Sequence, residues 1–343
     1  MDWLLWGSVL AVAASLVAAF FWLPGQATHA QHADPLSTFL MTVQEYALTI
    51  WPGVLAGIGM VGLLARVPRE MVMATLGRGN TVSGIGRAIL AGLFLDLCTH
   101  GILMVGAKLY ERGASLGQLM AFLITSPWNS MSMTFILITL IGWQWVLVFL
   151  LVSMLIGFIS GLVFNQLEQR GVLPANPHQS DLPENYALWP EVRSALGRQW
   201  RQFRWAELPG NIVRTLQTGL SESTMVIKWT MVSILMVGVV RAFVDVPTFQ
   251  AWVGPSLMGL GVTLVAATVI EVCSEGSLPL AADIFLRAHA PGNSLAFLMA
   301  GASTDYTEIM ILRETTKSWK IALFLPLVTL PQIVLIAWIL NHF

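Results

Sequence analysis

The chain reads as long apolar blocks separated by short polar ones. Mostly apolar runs, near the ~20 residues that a helix needs to span a bilayer, lie at Trp3–Leu23, Leu48–Leu64, Ile85–Leu109, Leu116–Ile141, Trp145–Phe164, Thr224–Val240, Trp252–Ile284, Ser294–Ile311 and Ile321–Leu340. Trp3–Leu23 is read as a retained helix rather than a cleaved leader, because its apolar core is too long and nothing basic precedes it. The long polar segment between Asn165 and Glu222 mixes Arg193, Arg198, Arg201 and Arg204 with Trp189, Trp200 and Trp205. That composition suits an amphipathic stretch on the membrane surface. The organisation expected is an N-terminal transmembrane helix over 1–24, a first membrane repeat over 25–165, a cytoplasmic polar loop over 166–222 and a second membrane repeat over 223–343.

Lys and Arg favour the cytoplasmic side. Gly25–Glu45 has neither, whereas Arg66, Arg69, Arg78 and Arg87, the six arginines between Asn165 and Glu222, and Arg313, Lys317 and Lys320 flank other connections. Placing these groups inside demands an even number of crossings between Arg87 and Arg170, where three apolar stretches lie. One stretch must therefore enter and leave on the same side. Ile85–Leu109 is assigned that role, being interrupted at Cys98-Thr99-His100-Gly101 with basic Lys108 and Arg112 beyond, and Trp252–Ile284 follows by the same logic. Seven spans and two re-entrant hairpins result, with Lys228, Arg241 and Arg287 as exceptions to the charge rule.

Asp96–Leu137 aligns without gaps to Glu271–Leu312 at a constant offset of 175, with 11 of 42 positions identical. The identities include Cys98/Cys273, Gly101/Gly276, Arg112/Arg287, Gly117/Gly292 and Ala121-Phe122-Leu123/Ala296-Phe297-Leu298. Matching Cys, Gly and Arg in one register points to duplication. An odd number of crossings separates equivalent points, so the expected fold class is an all-α polytopic membrane protein of two inverted-topology repeats with interrupted helices or re-entrant hairpins. Secondary transporters are built this way.

Composition narrows the function. The 343 residues are 56% hydrophobic and 11% charged, against about 45–50% and about 25% in soluble domains, and the mean hydropathy is +0.71. These values argue against a soluble enzyme, a disordered protein and a nucleic-acid binder, the last also disfavoured by a net charge of -1. Two cysteines are too few for a disulfide scaffold or a four-cysteine zinc site. No Cys-x-x-Cys, His-Glu-x-x-His or Gly-x-Ser-x-Gly occurs. An enzyme, a cofactor and a resident metal are therefore not expected.

Each half has two interruptions: Cys98–Gly101 and Thr125–Ser130, then Cys273–Ser277 and Gly301–Asp305. Backbone freed within lipid is tolerated only against protein or a wet cavity, so the four breaks are expected to converge on one polar site. Asp96, Glu271, Glu275, Asp283, Asp305 and Glu308 lie in apolar surroundings, where a charge costs at least ~2.5–3.5 kcal/mol by insertion scales. Cys98, His100, Asn129, Cys273, Glu275 and Asp305 are the candidate substrate-binding residues, and Asp96, Glu271 and Glu275 the candidates for proton or ion coupling. Asp283 and Glu308 read as interface-depth groups that snorkel or cap helices, and Lys228 as a snorkelling side chain. Two thiols at equivalent positions suit a soft species such as trivalent arsenic, antimony or a thiophilic metal. His100 would add a nitrogen ligand or carry a proton.

Cys98-Thr99-His100-Gly101 with Gly113, Ala121-Phe122-Leu123 and Ser126-Pro127 resembles the ArsP/YraQ-type predicted permease family. So does Glu271-Val272-Cys273-Ser274-Glu275-Gly276-Ser277-Leu278-Pro279-Leu280-Ala281 with Ala296-Phe297-Leu298-Met299-Ala300-Gly301. The resemblance covers roughly Thr49 to the C-terminus. It implies a multi-pass permease of the bacterial inner membrane, with efflux of trivalent organoarsenicals as the best-known activity. The chain departs from the pattern at His100, where many relatives have a second cysteine, and at Ala302, the counterpart of Pro127. The first departure puts a three-sulfur arsenic site in doubt. Three alternatives stand beside metalloid transport: a carrier of a small, sulfur-containing anion, a membrane-embedded thiol redox enzyme, and a structural subunit docking through the polar loop. The partners expected are membrane lipid and a small-molecule or ion substrate, without nucleic acid; the sequence does not specify an oligomeric state.

Overall fold

The computed structural model describes residues 3–26, 35–64, 81–94, 99–111, 113–126, 128–178, 220, 224–270 and 274–342. The regular elements among them are all helices. In chain order they are α1 (Trp3–Gln26), α2 (Pro35–Leu64), α3 (Val82–Phe94), α4 (Thr99–Glu111), α5 (Leu116–Thr125), α6 (Met131–Ile141) and α7 (Trp143–Gln169). There follow α8 (Thr224–Phe243), α9 (Val246–Val253), α10 (Leu257–Ile270), α11 (Ser274–Ala288), α12 (Pro291–Thr304), α13 (Tyr306–Thr316) and α14 (Trp319–Leu340).

Two of these, α7 and α14, are each long and apolar enough to cross a bilayer alone. Along α7, Val146, Phe149, Ser153, Ile156, Ser160 and Phe164 are buried, while Leu147, Leu151, Leu155 and Ile159 are exposed. Both faces are apolar, the outer one suited to lipid rather than water. Two other apolar stretches break where the sequence places interruptions: Leu116–Ile141 becomes α5 and α6, and Ser294–Ile311 becomes α12 and α13, parted at Asp305. The described residues of Ile85–Leu109 lie in α3 and α4. The stretch read as Leu48–Leu64 is longer, because α2 begins at Pro35. α8 and α9 bend by 113° at a short break, a broken span or re-entrant turn. Gly142, at φ 86°, closes α6 and opens α7; that positive φ is unstrained only for glycine.

The helix boundaries recur. α3, α5 and α6 start at residues 82, 116 and 131; adding 175 gives 257, 291 and 306, the first residues of α10, α12 and α13. α7 and α14, at 143 and 319, are one residue off that register. The packing recurs with the boundaries. In the first set α3 packs on α5 and α7, α4 on α5, α5 on α7 and α6 on α7; in the second α10 packs on α12 and α14, α11 on α12, α12 on α14 and α13 on α14. Contacts between the sets are reciprocal: α4 touches α13 while α11 touches α6, and α5 touches α12 and α7 touches α14, each its own counterpart. A pseudo-twofold relation has this signature. α1, α2 and α8 pack on one another and join the bundle through α2 on α6 and α8 on α11.

Candidate functional site

The seam between the two sets carries the polar breaks. At the end of α5, Thr125 Oγ1 donates to the Ala121 carbonyl (2.5 Å) and Ser126 Oγ to the Phe122 carbonyl (2.6 Å), so the last turn satisfies itself. Asn129 is buried in the break. Its Nδ2 donates to the Thr125 carbonyl (2.7 Å) and to Ser153 Oγ on α7 (2.6 Å). Its Oδ1 has no hydrogen-bond partner among the described residues. Trp128, also buried, sends its indole N–H across the seam to Met299 Sδ of α12 (3.1 Å).

In the second set Ser303 Oγ donates to the Met299 carbonyl (2.9 Å), and the Thr304 hydroxyl pairs with that of Thr268 on α10 (2.7 Å). Asp305 is the N-cap of α13, its Oδ1 accepting from the Thr307 amide (2.9 Å). Ser130 holds the matching position as N-cap of α6. The offset of 175 therefore pairs Ser130 with Asp305 in the same local role: the short polar side chain accepts from a helix N–H that would otherwise be orphaned.

Of the other candidates, Asp96, Cys98, Glu271 and Cys273 lie outside the described residues. His100 and Glu275 occupy the second residue of α4 and of α11, their side chains outside the described set. Lys228 sits on α8, its side chain likewise undescribed. The amphipathic reading of the polar loop also falls beyond the described residues, apart from its first turns, where Asn176 donates to the Tyr110 and Ala114 carbonyls (2.7 and 2.8 Å). No group of three or more His, Cys, Asp or Glu capable of holding a metal occurs among the described residues.

Two acids read as snorkelling or capping groups do neither. Asp283 of α11 is 1% exposed. Its Oδ1 accepts from Arg241 Nε (2.7 Å) and from the Tyr46 hydroxyl (3.4 Å), and its Oδ2 pairs with Arg287 Nη1 (3.4 Å). Arg241 also reaches Glu45 (3.0 Å), and Arg287 donates to the Val244 carbonyl. That carbonyl lies at the α8–α9 bend, where Arg287 supplies a hydrogen-bond donor. The cluster ties α2, α8 and α11 together. Arg241 and Arg287, two of the three exceptions to the charge rule, are thus both paired with a carboxylate. Glu308, one turn into α13, is 3% exposed. Its Oε2 has no hydrogen-bond partner among the described residues. It lines a cavity of about 10 Å³ with Ile102, Leu103, Leu123, Leu312 and Leu325, and with Ala302. The sequence held no cue that separated Glu308 from Asp305, since burial there depends on α4 and α5, some 200 residues earlier.

A family model described as "Predicted permease" (ArsP_1) matches residues 36–342. The UPF0718 protein YcgR of Bacillus subtilis (strain 168) is 24% identical over 278 residues, covering 78% of this chain and 84% of that protein. No solved structure matches.

Proposed function

The chain belongs to the ArsP_1 predicted permease family, and from that premise we propose that it is a secondary permease of a bacterial inner membrane that moves a small solute by alternating access between two inverted halves. The observation that carries this reading is the reciprocal packing of α4 on α13 and α11 on α6, with the α5–α6 and α12–α13 breaks beside the seam. Two equivalent halves that meet at polar breaks can rock against each other and expose the same site to either side in turn.

The substrate in this proposal is a thiophilic metalloid species, a trivalent organoarsenical being the leading candidate. Cys98 and Cys273 precede the first residues of α4 and α11 at equivalent points of the two halves. They would supply the soft ligands, with His100, Glu275, Asn129 and Asp305 as polar partners. Asn129 Oδ1, buried without a partner among the described residues, supports a place for that residue in the site, since such an atom costs stability unless something else occupies it. Asp96, Glu271 and Glu275 are the proposed coupling acids.

The test uses the wild-type chain, whose two cysteines are Cys98 and Cys273. A short bis-thiol reagent should crosslink them within one chain, and a trivalent methylarsenical should block the reaction. A failure to crosslink, with each thiol alkylated separately, overturns the metalloid substrate and redirects the search to a small anion held by hydroxyl and backbone groups. A reversible Cys98–Cys273 disulfide formed during turnover would instead mark a thiol redox enzyme.

A further inference from the structure

The duplication creates two equivalent crossings at the seam, α4 on α13 and α11 on α6, and they differ at one buried position of α13 and α6. Glu308 of α13 and Met133 of α6 occupy the same position at the offset of 175, and both are buried. Around Glu308 the cavity wall comes from both halves: Ile102 and Leu103 of α4 and Leu123 of α5 on one side, Ala302 of α12, Leu312 of α13 and Leu325 of α14 on the other. At about 10 Å³ the cavity sits at the lower limit for one water molecule, and a buried water needs two to four polar partners. The described lining offers Glu308 alone. Its Oε2 has no hydrogen-bond partner among the described residues.

On the elements packed against α13, α4 carries His100, Lys108, Tyr110 and Glu111, α14 carries Lys320 in its first turn, and α12 carries none; α5, across the cavity, also has none. On α13 itself Asp305 is one turn away, engaged at the helix cap, Tyr306 follows it, and Arg313 and Glu314 lie further along. None of these is among the described residues lining the cavity. An ionised carboxylate in such surroundings is strongly disfavoured, so the closed seam requires Glu308 to hold a proton.

We propose that Glu308 is a further proton carrier, beside the coupling acids named above, that links the rocking of the two halves to the proton gradient. The inference rests on the permease reading and deepens it. With the seam closed, as in this structure, the carboxyl keeps its proton. When α4 and α5 draw away from α13, water enters, the O–H bond breaks, the proton passes to that water and the carboxylate remains. Reclosure requires a proton to be taken up again, from whichever side the site then faces. With an acid at position 308 and a methionine at its counterpart 133, one proton moves through this site per cycle.

The test needs no substrate. The full-length chain is reconstituted in liposomes, and amide hydrogen exchange of α4 and α13 is followed by mass spectrometry across a pH series, corrected for the intrinsic pH dependence of exchange. For one linked proton the opening constant of this crossing should rise about tenfold per pH unit once Glu308 titrates. Glu308→Gln should abolish that slope and Glu308→Asp restore it. Infrared difference spectra, wild type minus Glu308→Gln, should contain the carbonyl stretch of a protonated carboxylic acid at neutral pH. Opening that is independent of pH, an unchanged slope in Glu308→Gln, or a difference spectrum with carboxylate bands alone overturns the proton assignment and leaves the permease standing. If neither α4–α13 nor α6–α11 opens under any condition, the rocking mechanism falls, and this inference with it.

Discussion

Gly117 and Gly292 are identical residues at equivalent positions, and the structure gives both the same job. A Cβ on Gly117 would run into the Gly161 carbonyl and Asn165 Oδ1 of α7; on Gly292 it would meet the Ala337 carbonyl of α14 and Oδ1 of Asn341, the residue after α14. The absent side chain lets α5 sit against α7, and α12 against α14, at backbone contact. Gly117→Ala and Gly292→Ala should each destabilise by about 1–3 kcal/mol, the usual range for overpacking, measurable as a lower thermal midpoint in detergent. Asp283 makes a contrasting case. Asp283→Ala leaves two largely buried arginines without their carboxylate and should cost about 3–5 kcal/mol. Glu45→Ala removes a partner whose side chain is 60% exposed and should cost less than about 1 kcal/mol. Equal losses in the two mutants would show that Asp283 is not the centre of the cluster.

At the scale of elements, the start of α5 shows how a short helix is held inside a membrane protein. Ser115 and Gln118 form a capping box. α7 then adds two acceptors: Asn165 Oδ1 takes the Ser115 hydroxyl and the Gly117 amide (3.0 Å each), and Glu168 Oε2 takes the Leu116 amide (3.3 Å). The second set repeats the arrangement, with Asn341 Oδ1 of the residue after α14 accepting from the Gly292 amide (2.8 Å). Residues 115–118 and Gly292 are buried, so the orphaned N–H groups of a helix start must find protein partners. Asn165→Ala should therefore cost about 1–3 kcal/mol. Its hydrogen-exchange signature should be loss of protection at residues 115–118, with the rest of α5 less affected. Uniform loss along α5 would place the effect in helix packing rather than in the cap.

At the scale of the molecule, the pairing of contacts across the seam is the feature from which the transport proposal follows. If the halves are inverted, the α4–α5 and α11–α12 connections face opposite sides of the membrane. In a Cys98→Ser, Cys273→Ser background, Glu111→Cys should react with a membrane-impermeant maleimide only from the cytoplasmic side and His289→Cys only from the outer side. Labelling of both from one side would replace inversion with parallel repeats. The seam also holds an aromatic cluster, Trp145 and Phe149 of α7 against Phe285 of α11, with ring centroids 5.2 and 6.4 Å apart. Being apolar and free of specific hydrogen bonds, such a contact can slide without stranding a polar group.

Much of this was legible along the chain, for local reasons. Apolar block length identifies membrane helices because lipid satisfies no backbone group. Gly, Ser, Thr and Asn runs mark the breaks at Thr125–Ser130 and Gly301–Asp305 because those residues end helices and cap new ones. The offset of 175 is visible as identities and returns as helix starts. What the chain could not reveal are relations between residues far apart in sequence. Tyr46 and Asp283 are 237 residues apart, and Arg241 and Asp283 are 42 apart, so a carboxylate read as a snorkelling group proves to be the centre of an ion cluster. Glu308 and Asp305 are alike as acids near a helix break. Only the tertiary structure separates them, because burial is decided by what packs opposite: Asp305 turns its oxygen to its own helix's N–H groups, while Glu308 faces the apolar side chains of the other half.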